Sequence, residues 1–142
     1  MEMTIEYWNA LAQQTILVSS LLCGFSVTVV ANLLVSSKND QLTNTTLKVA
    51  TLAAGCFLVA VFSMIQIAML TTPGGYEEAV AATDFVVPRA IGMFTFMIGL
   101  FAITAMIALA GWSKSKKVGR FTTTIGIVTL LLALVTMVRV SF

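Results

Sequence analysis

The sequence predicts an all-α membrane protein with four transmembrane helices. Of the 142 residues, 58% are hydrophobic and only 10% are charged, whereas about 25% of the residues of a soluble domain are charged. Four stretches without any charged residue each contain at least 18 residues: 7–37, 49–76, 90–113 and 121–138. A helix needs about 20 apolar residues to cross a bilayer core, and backbone groups in lipid must bond within their own segment. The sequence therefore predicts one four-helix transmembrane domain over residues 1–142, with spans at 9–35, 46–70, 88–112 and 121–138.

The first span is the most polar of the four, and we expect it not to be a cleaved signal peptide. Glu2 and Glu6 precede it, whereas a signal peptide begins with basic residues. The residues that follow the span, 36–40, are Ser, Lys, Asn and Asp, a composition that is typical of a turn.

The other spans carry start and stop signals. Pro73 ends the second span, because proline cannot continue a helix, and Gly74 and Gly75 follow it. Thr83 or Asp84 is suited to cap the third span, with Pro88 in its first turn. A basic segment at 113–120 separates the third span from the fourth, which begins at Phe121. Because the links are short, neighbouring spans are expected to pack antiparallel.

Basic residues predict the orientation in the membrane. Six lie in or beside the first and third links: Lys38, Lys48, Lys114, Lys116, Lys117 and Arg120. Only Arg89 and Arg139 lie on the other side. Since Lys and Arg in short loops stay in the cytoplasm, the charge distribution places both termini outside.

Several functional classes are disfavoured by the residues that are missing. The sequence has no His, which removes His-based metal and haem sites and the usual general base. Cys23 and Cys56 lie on different spans without a C-x-x-C motif, so we expect small core residues rather than redox chemistry. No charged residue lies near the centre of a span, which disfavours proton-coupled transport, and the net charge of +2 predicts no nucleic-acid partner. We expect no enzymatic activity, no metal and no cofactor.

One row of residues in the first span combines amides with apolar side chains. Its members follow one another by steps of three or four: Asn9, Gln13, Leu17, Leu21, Phe25, Thr28 and Asn32. At 100° per residue the ends of the row differ by about 140°, so it drifts around a straight helix. Two interpretations stay open. The row lines a pore with polar mouths, or it belongs to a buried helix whose polar groups bond to partners.

Small residues at a spacing of four predict close helix packing, either within the chain or between subunits. They are Ser20, Gly24 and Thr28 in the first span, Thr51 and Gly55 in the second, and Thr122 and Gly126 in the fourth.

Short motifs in all four spans resemble the Orai calcium-channel family. In the first span, Leu21–Phe25 reads L-L-C-G-F, followed by Val27 and Val30, where the family's pore helix has L-L-S-G-F. In the second span, Leu58–Val61 reads L-V-A-V as in the family, and Pro73 lies near a family Pro. The third span has Ile98–Gly99 with Ala105, Trp112 and Lys114 (I-G…A…W-x-K), and the fourth has Thr123–Ile125 (T-T-I). The motifs occur in the family's order and at comparable spacing.

The resemblance implies a hexamer in which the first helices line a central pore. It places Asn32 at the family's acidic selectivity filter, Thr28 in its hydrophobic section, and Phe25 and Gly24 at its gate hinge. Leu21 falls at a Leu of the family, and the positions of the family's basic pore residues are taken by Leu17, Gln13 and Asn9. The sequence departs from the family in its neutral filter and uncharged inner section, and in the missing long tails that receive the family's activator. The family also has both termini inside, which is opposite to the charge distribution.

The leading hypothesis is an oligomeric cation channel of prokaryotic type in the cell (inner) membrane, without strong calcium selectivity. Asn32 and Thr28 are the predicted filter, Leu17, Leu21 and Phe25 the hydrophobic gate, Gly24 the hinge, and Asn9 and Gln13 the other pore mouth. The expected partners are the lipid bilayer, further copies of the chain and permeant cations. The alternative is a structural or accessory membrane subunit with no pore of its own, in which the polar face of the first span binds a partner.

Overall fold

Four long helices make up nearly all of the structure. The computed structural model describes residues 4–37, 39–72, 74 and 86–140, the last four by their backbone alone. The helices are α1 (Ile5–Val35), α2 (Gln41–Thr71), α3 (Val86–Lys114) and α4 (Lys116–Val140). Each is long and apolar enough to cross a membrane. The all-α fold class and the four transmembrane helices are therefore confirmed.

The helices extend beyond the predicted spans at several ends, and polar side chains cap them. Thr4 precedes α1, and its hydroxyl accepts a hydrogen bond from the backbone N–H of Tyr7 at 3.4 Å. Ser115 is the only non-helical residue between α3 and α4, and its hydroxyl accepts a bond from the N–H of Val118 at 3.2 Å. Serine and threonine are favoured directly before a helix because their hydroxyl accepts a hydrogen bond from a backbone N–H of the first turn.

The basic link predicted at 113–120 is consequently shorter than expected. Lys116, Lys117 and Arg120 lie in the first turns of α4 rather than in a loop. Pro88 lies in the first turn of α3, as predicted. The predicted stop at Pro73 and Gly75 and the predicted caps Thr83 and Asp84 lie outside the described residues.

The contacts divide the chain into two units, and α1, α2 and α3 each contribute to both. Unit 1 consists of Met1–Phe25 and Ala54–Gly99, and unit 2 of Ser26–Ala53 and Leu100–Phe142. Unit 1 therefore contains the N-terminal part of α1, the C-terminal part of α2 and the N-terminal part of α3. Unit 2 contains the remaining parts of these helices and all of α4.

In unit 1, α1 packs antiparallel to α2. Ala12 is buried against Met64 and Ile67, and the Cys23 thiol donates to the backbone carbonyl of Ala54 at 3.5 Å. Residue numbers therefore fall along one helix as they rise along the other, as expected for helices joined by a short link.

The contact between α2 and α3 in unit 1 is built around Phe57. This ring is fully buried and meets Phe96 edge to face, with 6.0 Å between the ring centroids. Gly99 lies against the same ring, and Gly92 lies against Met64. Because glycine has no side chain, α3 can approach α2 closely at both positions.

Gly99→Ala is expected to destabilise the protein by about 1–3 kcal/mol, because it overpacks this contact. A Cβ at Gly99 would lie 2.8 Å from Cε1 of Phe57. Gly55→Ala is the matched control, since a Cβ there has no atom within 4 Å and alanine favours a helix by about 0.5–1 kcal/mol. Thermal unfolding in detergent, followed by circular dichroism, measures both. Equal midpoints for the two variants would contradict the proposed tight contact.

In unit 2, small residues bring α3 and α4 together. A Cβ at Gly111 would collide with Thr122, and one at Gly126 would lie 2.9 Å from the methyl group of Thr104. The indole N–H of Trp112 donates to the Thr123 hydroxyl at 3.1 Å. The small pair Thr122 and Gly126 thus packs within the chain. Gly24 and Gly55, in contrast, face open space.

Candidate functional site

α1 has one buried face and one exposed face. Ala12, Ser19 and Ser26, each seven residues from the next, are at most 1% exposed. The opposite face carries the predicted gate and filter residues, and all of them are exposed: Leu17, Leu21, Phe25, Thr28 and Asn32. At 100° per residue these five lie within an arc of about 80°. They therefore form a narrower stripe than the full predicted row, and we call them the α1 stripe.

The predicted gate residues form the apolar part of the α1 stripe, and each is more than half exposed. Leu17 is 62% exposed, Leu21 68% and Phe25 52%. Gly24 lies beside them, and a Cβ at this position would have no atom within 4 Å. The stripe consequently presents large apolar side chains, next to a glycine, to whatever surrounds a single copy of the chain.

The predicted filter residues continue the α1 stripe toward the C-terminal end of the helix. Thr28 and Asn32 are both exposed, and the backbone carbonyl of Asn32 accepts a hydrogen bond from the N–H of Ser36 at 3.2 Å. A hydroxyl and an amide follow the apolar section in this direction. The stripe thus changes from apolar to polar along its length, and it carries no charged residue.

The predicted second pore mouth has a different environment. Asn9 is half-buried, and its side-chain N–H₂ donates to the Thr71 hydroxyl at 2.9 Å and to the carbonyl of Ala68 at 3.2 Å. Gln13 is exposed and donates to the Asn9 side-chain oxygen at 2.7 Å. The side-chain N–H₂ of Asn9 therefore holds α1 against the end of α2. This contact agrees with the alternative in which the polar groups of the first span bond to neighbouring helices. A pore-mouth role for Asn9 and Gln13 stays a prediction.

Two features of α1 were not anticipated from the sequence. The Arg89 guanidinium, near the start of α3, lies 4.4 Å from the ring centroid of Trp8. A cation over an indole ring is attracted by the ring's electrons. Ser19 is fully buried, and its hydroxyl has no hydrogen-bond partner among the described residues. Neither feature has a local sequence signal, because each depends on how α1 sits against the other helices of unit 1.

The polar end of the α1 stripe lies in the basic half of the chain. Unit 2 contains Asn32, the α3–α4 turn and a single acidic residue, Asp40. Its described basic residues are Lys48, Lys114, Lys116, Lys117 and Arg120, all with exposed side chains. An ion that approaches this end in water therefore meets a positive potential.

The charge distribution predicts that the α3–α4 turn faces the cytoplasm. Ser115→Cys, in a background without Cys23 and Cys56, should react with a membrane-impermeant maleimide from the cytoplasmic side only. Thr72→Cys directly follows the C-terminal end of α2, which the charge distribution places on the exterior, and it should react only from that side. Labelling of intact cells and inverted vesicles measures both variants. Reaction of Ser115→Cys from the exterior alone would show that the charge-based orientation is wrong and would favour the one implied by the Orai resemblance.

Similarity to known proteins gives no independent indication of function. The chain matches no family model, no curated protein and no solved structure. A functional assignment therefore rests on the geometry and chemistry of these helices.

Proposed function

We propose that this chain is one subunit of an oligomeric cation channel in the cell (inner) membrane, distantly related to the Orai family and assembled as a hexameric ring. The observation that carries the proposal is the α1 stripe. Five residues at the expected pore positions lie on one side of α1 and are left uncovered by the rest of the chain. In a ring of α1 helices around a common axis, this face would line the central pore.

The apolar part of the α1 stripe is suited to act as a gate. Rings of Leu17, Leu21 and Phe25 offer no group that binds water, and a narrow apolar constriction empties of water and blocks ions. Gly24 lies within this section and permits close approach or a change of helix direction, since it lacks a Cβ. Opening would widen or rotate this section until water enters.

The polar part of the α1 stripe is suited to a weakly selective filter. Asn32 supplies an amide oxygen and Thr28 a hydroxyl, but neither supplies a charge. Calcium is usually held by 6–8 oxygen ligands that include carboxylates. Neutral oxygens compensate its dehydration poorly, so monovalent cations are the expected permeant ions.

A second function, that of an accessory subunit, is favoured by a separate observation on α2. Gln66 is exposed there, and so are Thr51 and Gly55, with open space beside Gly55. A side-chain amide that faces lipid is unfavourable unless it finds a hydrogen-bond partner, and small residues permit close approach of another helix. A partner protein packed on α2 would supply a hydrogen bond to Gln66 and fill the space beside Gly55. Such an accessory role requires no pore.

Cysteine accessibility distinguishes the two functions. Leu17 on α1 and Phe62 on α2 are both 62% exposed, so Leu17→Cys and Phe62→Cys, in a background without Cys23 and Cys56, are matched variants. In the channel, a charged methanethiosulfonate reagent should reduce sodium flux into liposomes for Leu17→Cys and leave Phe62→Cys unaffected. Both variants are measured together with Leu21→Ser, which should wet the closed gate and give a measurable flux. Equal inhibition of both variants, or no inhibition of a fully labelled Leu17→Cys, would overturn a pore lined by α1.

A further inference from the structure

The turn between α3 and α4 concentrates positive charge on its exposed surface. Lys114, Lys116, Lys117 and Arg120 lie within seven residues and are all exposed. We call these four residues the basic patch. Asp40 is the sole acidic residue of unit 2. The patch therefore keeps a net positive charge even if Asp40 offsets one of its members.

Two of these cations, Lys116 and Lys117, lie in the first turn of α4, where a positive charge is electrostatically unfavourable. Arg120 lies in the next turn, and α4 has no acidic residue in its first turn. The N-terminus of a helix carries partial positive charge, so it attracts anions and repels cations. Lys114 differs, because it lies in the last turn of α3, where a cation is favourable. An external anion would relieve the repulsion at the start of α4.

The cations on α4 point away from the protein. At 100° per residue, Lys116, Lys117 and Arg120 lie within an arc of about 100°. Gly119, in contrast, is buried against Trp112 of α3. The three charged groups are thus free to meet a ligand from outside the chain.

An exposed tryptophan beside the basic patch indicates that the patch lies near the surface of the bilayer. Trp112 is 44% exposed and Phe121 67% exposed, and they flank the patch in the sequence. Tryptophan is enriched at the level of the lipid headgroups, and the apolar part of α4 begins directly after Arg120. We therefore expect these cations at the depth of the lipid phosphates.

We propose that the basic patch binds the headgroup of an anionic phospholipid. The phosphate is expected between the N-terminus of α4 and the side chains of Lys116, Lys117 and Arg120, with the acyl chains along the exposed apolar surface beside Phe121. This inference does not depend on the channel function. If the chain does form a channel, bound lipid would also reduce the positive potential that cations meet at the Asn32 end.

Lipid binding is measured on the purified full-length protein in a neutral detergent. Native mass spectrometry with added phosphatidylglycerol should show bound lipid, whereas phosphatidylcholine, which carries the same phosphate without net charge, should bind much more weakly. Lys116→Gln/Lys117→Gln should weaken phosphatidylglycerol binding about fivefold for each charge removed, or about 25-fold in total. Arg89→Gln/Arg139→Gln is the matched control, since it removes the same charge at the other ends of α3 and α4 and should leave binding unchanged.

Two further measurements keep the test independent of folding and of the source of the phosphate. Lys116→Arg/Lys117→Arg retains the charge and should bind phosphatidylglycerol as the wild type does. In a Trp8→Phe variant, brominated phosphatidylglycerol should quench the fluorescence of Trp112. Equal binding by the Lys→Gln variant, equal binding of both lipids, or displacement of the lipid by millimolar inorganic phosphate would each overturn the proposal, and the last would indicate a free-phosphate site.

Discussion

Replacing Leu21 or Phe25 by serine should raise the resting sodium leak of the reconstituted protein by roughly tenfold or more, equivalent to a barrier lower by about 1.4 kcal/mol. Both side chains belong to the α1 stripe and are 68% and 52% exposed in a single copy. In a closed ring they would form the constriction that excludes water. A serine hydroxyl binds water and occupies less volume, so it should wet the constriction and let ions pass. Sodium flux into liposomes with no stimulus measures the leak.

Two matched variants separate this effect from a general loosening of the protein. Phe62→Ser on α2 and Phe94→Ser on α3 remove apolar side chains that are 62% and 69% exposed, but neither position belongs to the α1 stripe. Both should keep the low leak of the wild type. A similar leak from all four serine variants would indicate disturbed packing rather than an opened gate. An unchanged leak from well-folded Leu21→Ser and Phe25→Ser would remove α1 as the pore lining.

The helices could be predicted from the sequence because charge marks them so clearly. Long stretches without charge can be stable in lipid only as helices, and all four predicted spans are helical. The helix ends were less predictable, because a cationic residue is as compatible with a helix as an apolar one. α4 therefore begins at Lys116 rather than at Phe121, and the basic segment that resembles a loop is mostly helical.

The two faces of α1 were harder to predict, because the usual amphipathic signal is missing. In water, hydrophobic residues mark the buried face of a helix. In lipid, α1 buries small residues at Ala12, Ser19 and Ser26 and exposes large ones such as Leu21, because small side chains permit close helix contacts. Small residues also occur in α1 at a spacing of four, but the buried set repeats every seven residues. That spacing is the signal that separates the two faces.

The roles of the polar residues in α1 depended on long-range register. Asn9 bonds to Ala68 and Thr71, and Trp8 lies beneath Arg89. No local pattern brings these residues together, because the contacts follow from how α1 aligns with α2 and α3. Their spacing groups Asn9 with Asn32, whereas their environments differ: Asn9 is half-buried with partners on α2, and Asn32 is exposed. This difference makes Asn32 the better position at which to test selectivity.

Asn32→Asp should introduce strong calcium binding into the pore. The substitution adds one negative charge per subunit at almost the same side-chain volume, and in a ring these carboxylates would face a common axis. Carboxylates are the ligands that calcium prefers, and its affinity rises with the number of charged ligands. We expect the calcium concentration that half-blocks sodium current to fall by roughly tenfold or more, with measurable calcium permeation. Single-channel recording under bi-ionic sodium and calcium conditions measures both quantities.

Asn44→Asp is the matched control for this substitution. Asn44 is also an exposed amide in unit 2, but it lies in the first turn of α2 and donates its side-chain N–H to Asn39 at 3.0 Å. Asn44→Asp adds the same charge to unit 2 at a position outside the α1 stripe. Because solvent and salt screen this charge, it should change the electrostatic potential in the pore only weakly. Calcium block that appears in Asn32→Asp and not in Asn44→Asp would assign the filter to Asn32. If Asn32→Asp conducts normally and its calcium block and permeability ratio stay at wild-type values, Asn32 does not face the permeant ion and its assignment as the filter is wrong.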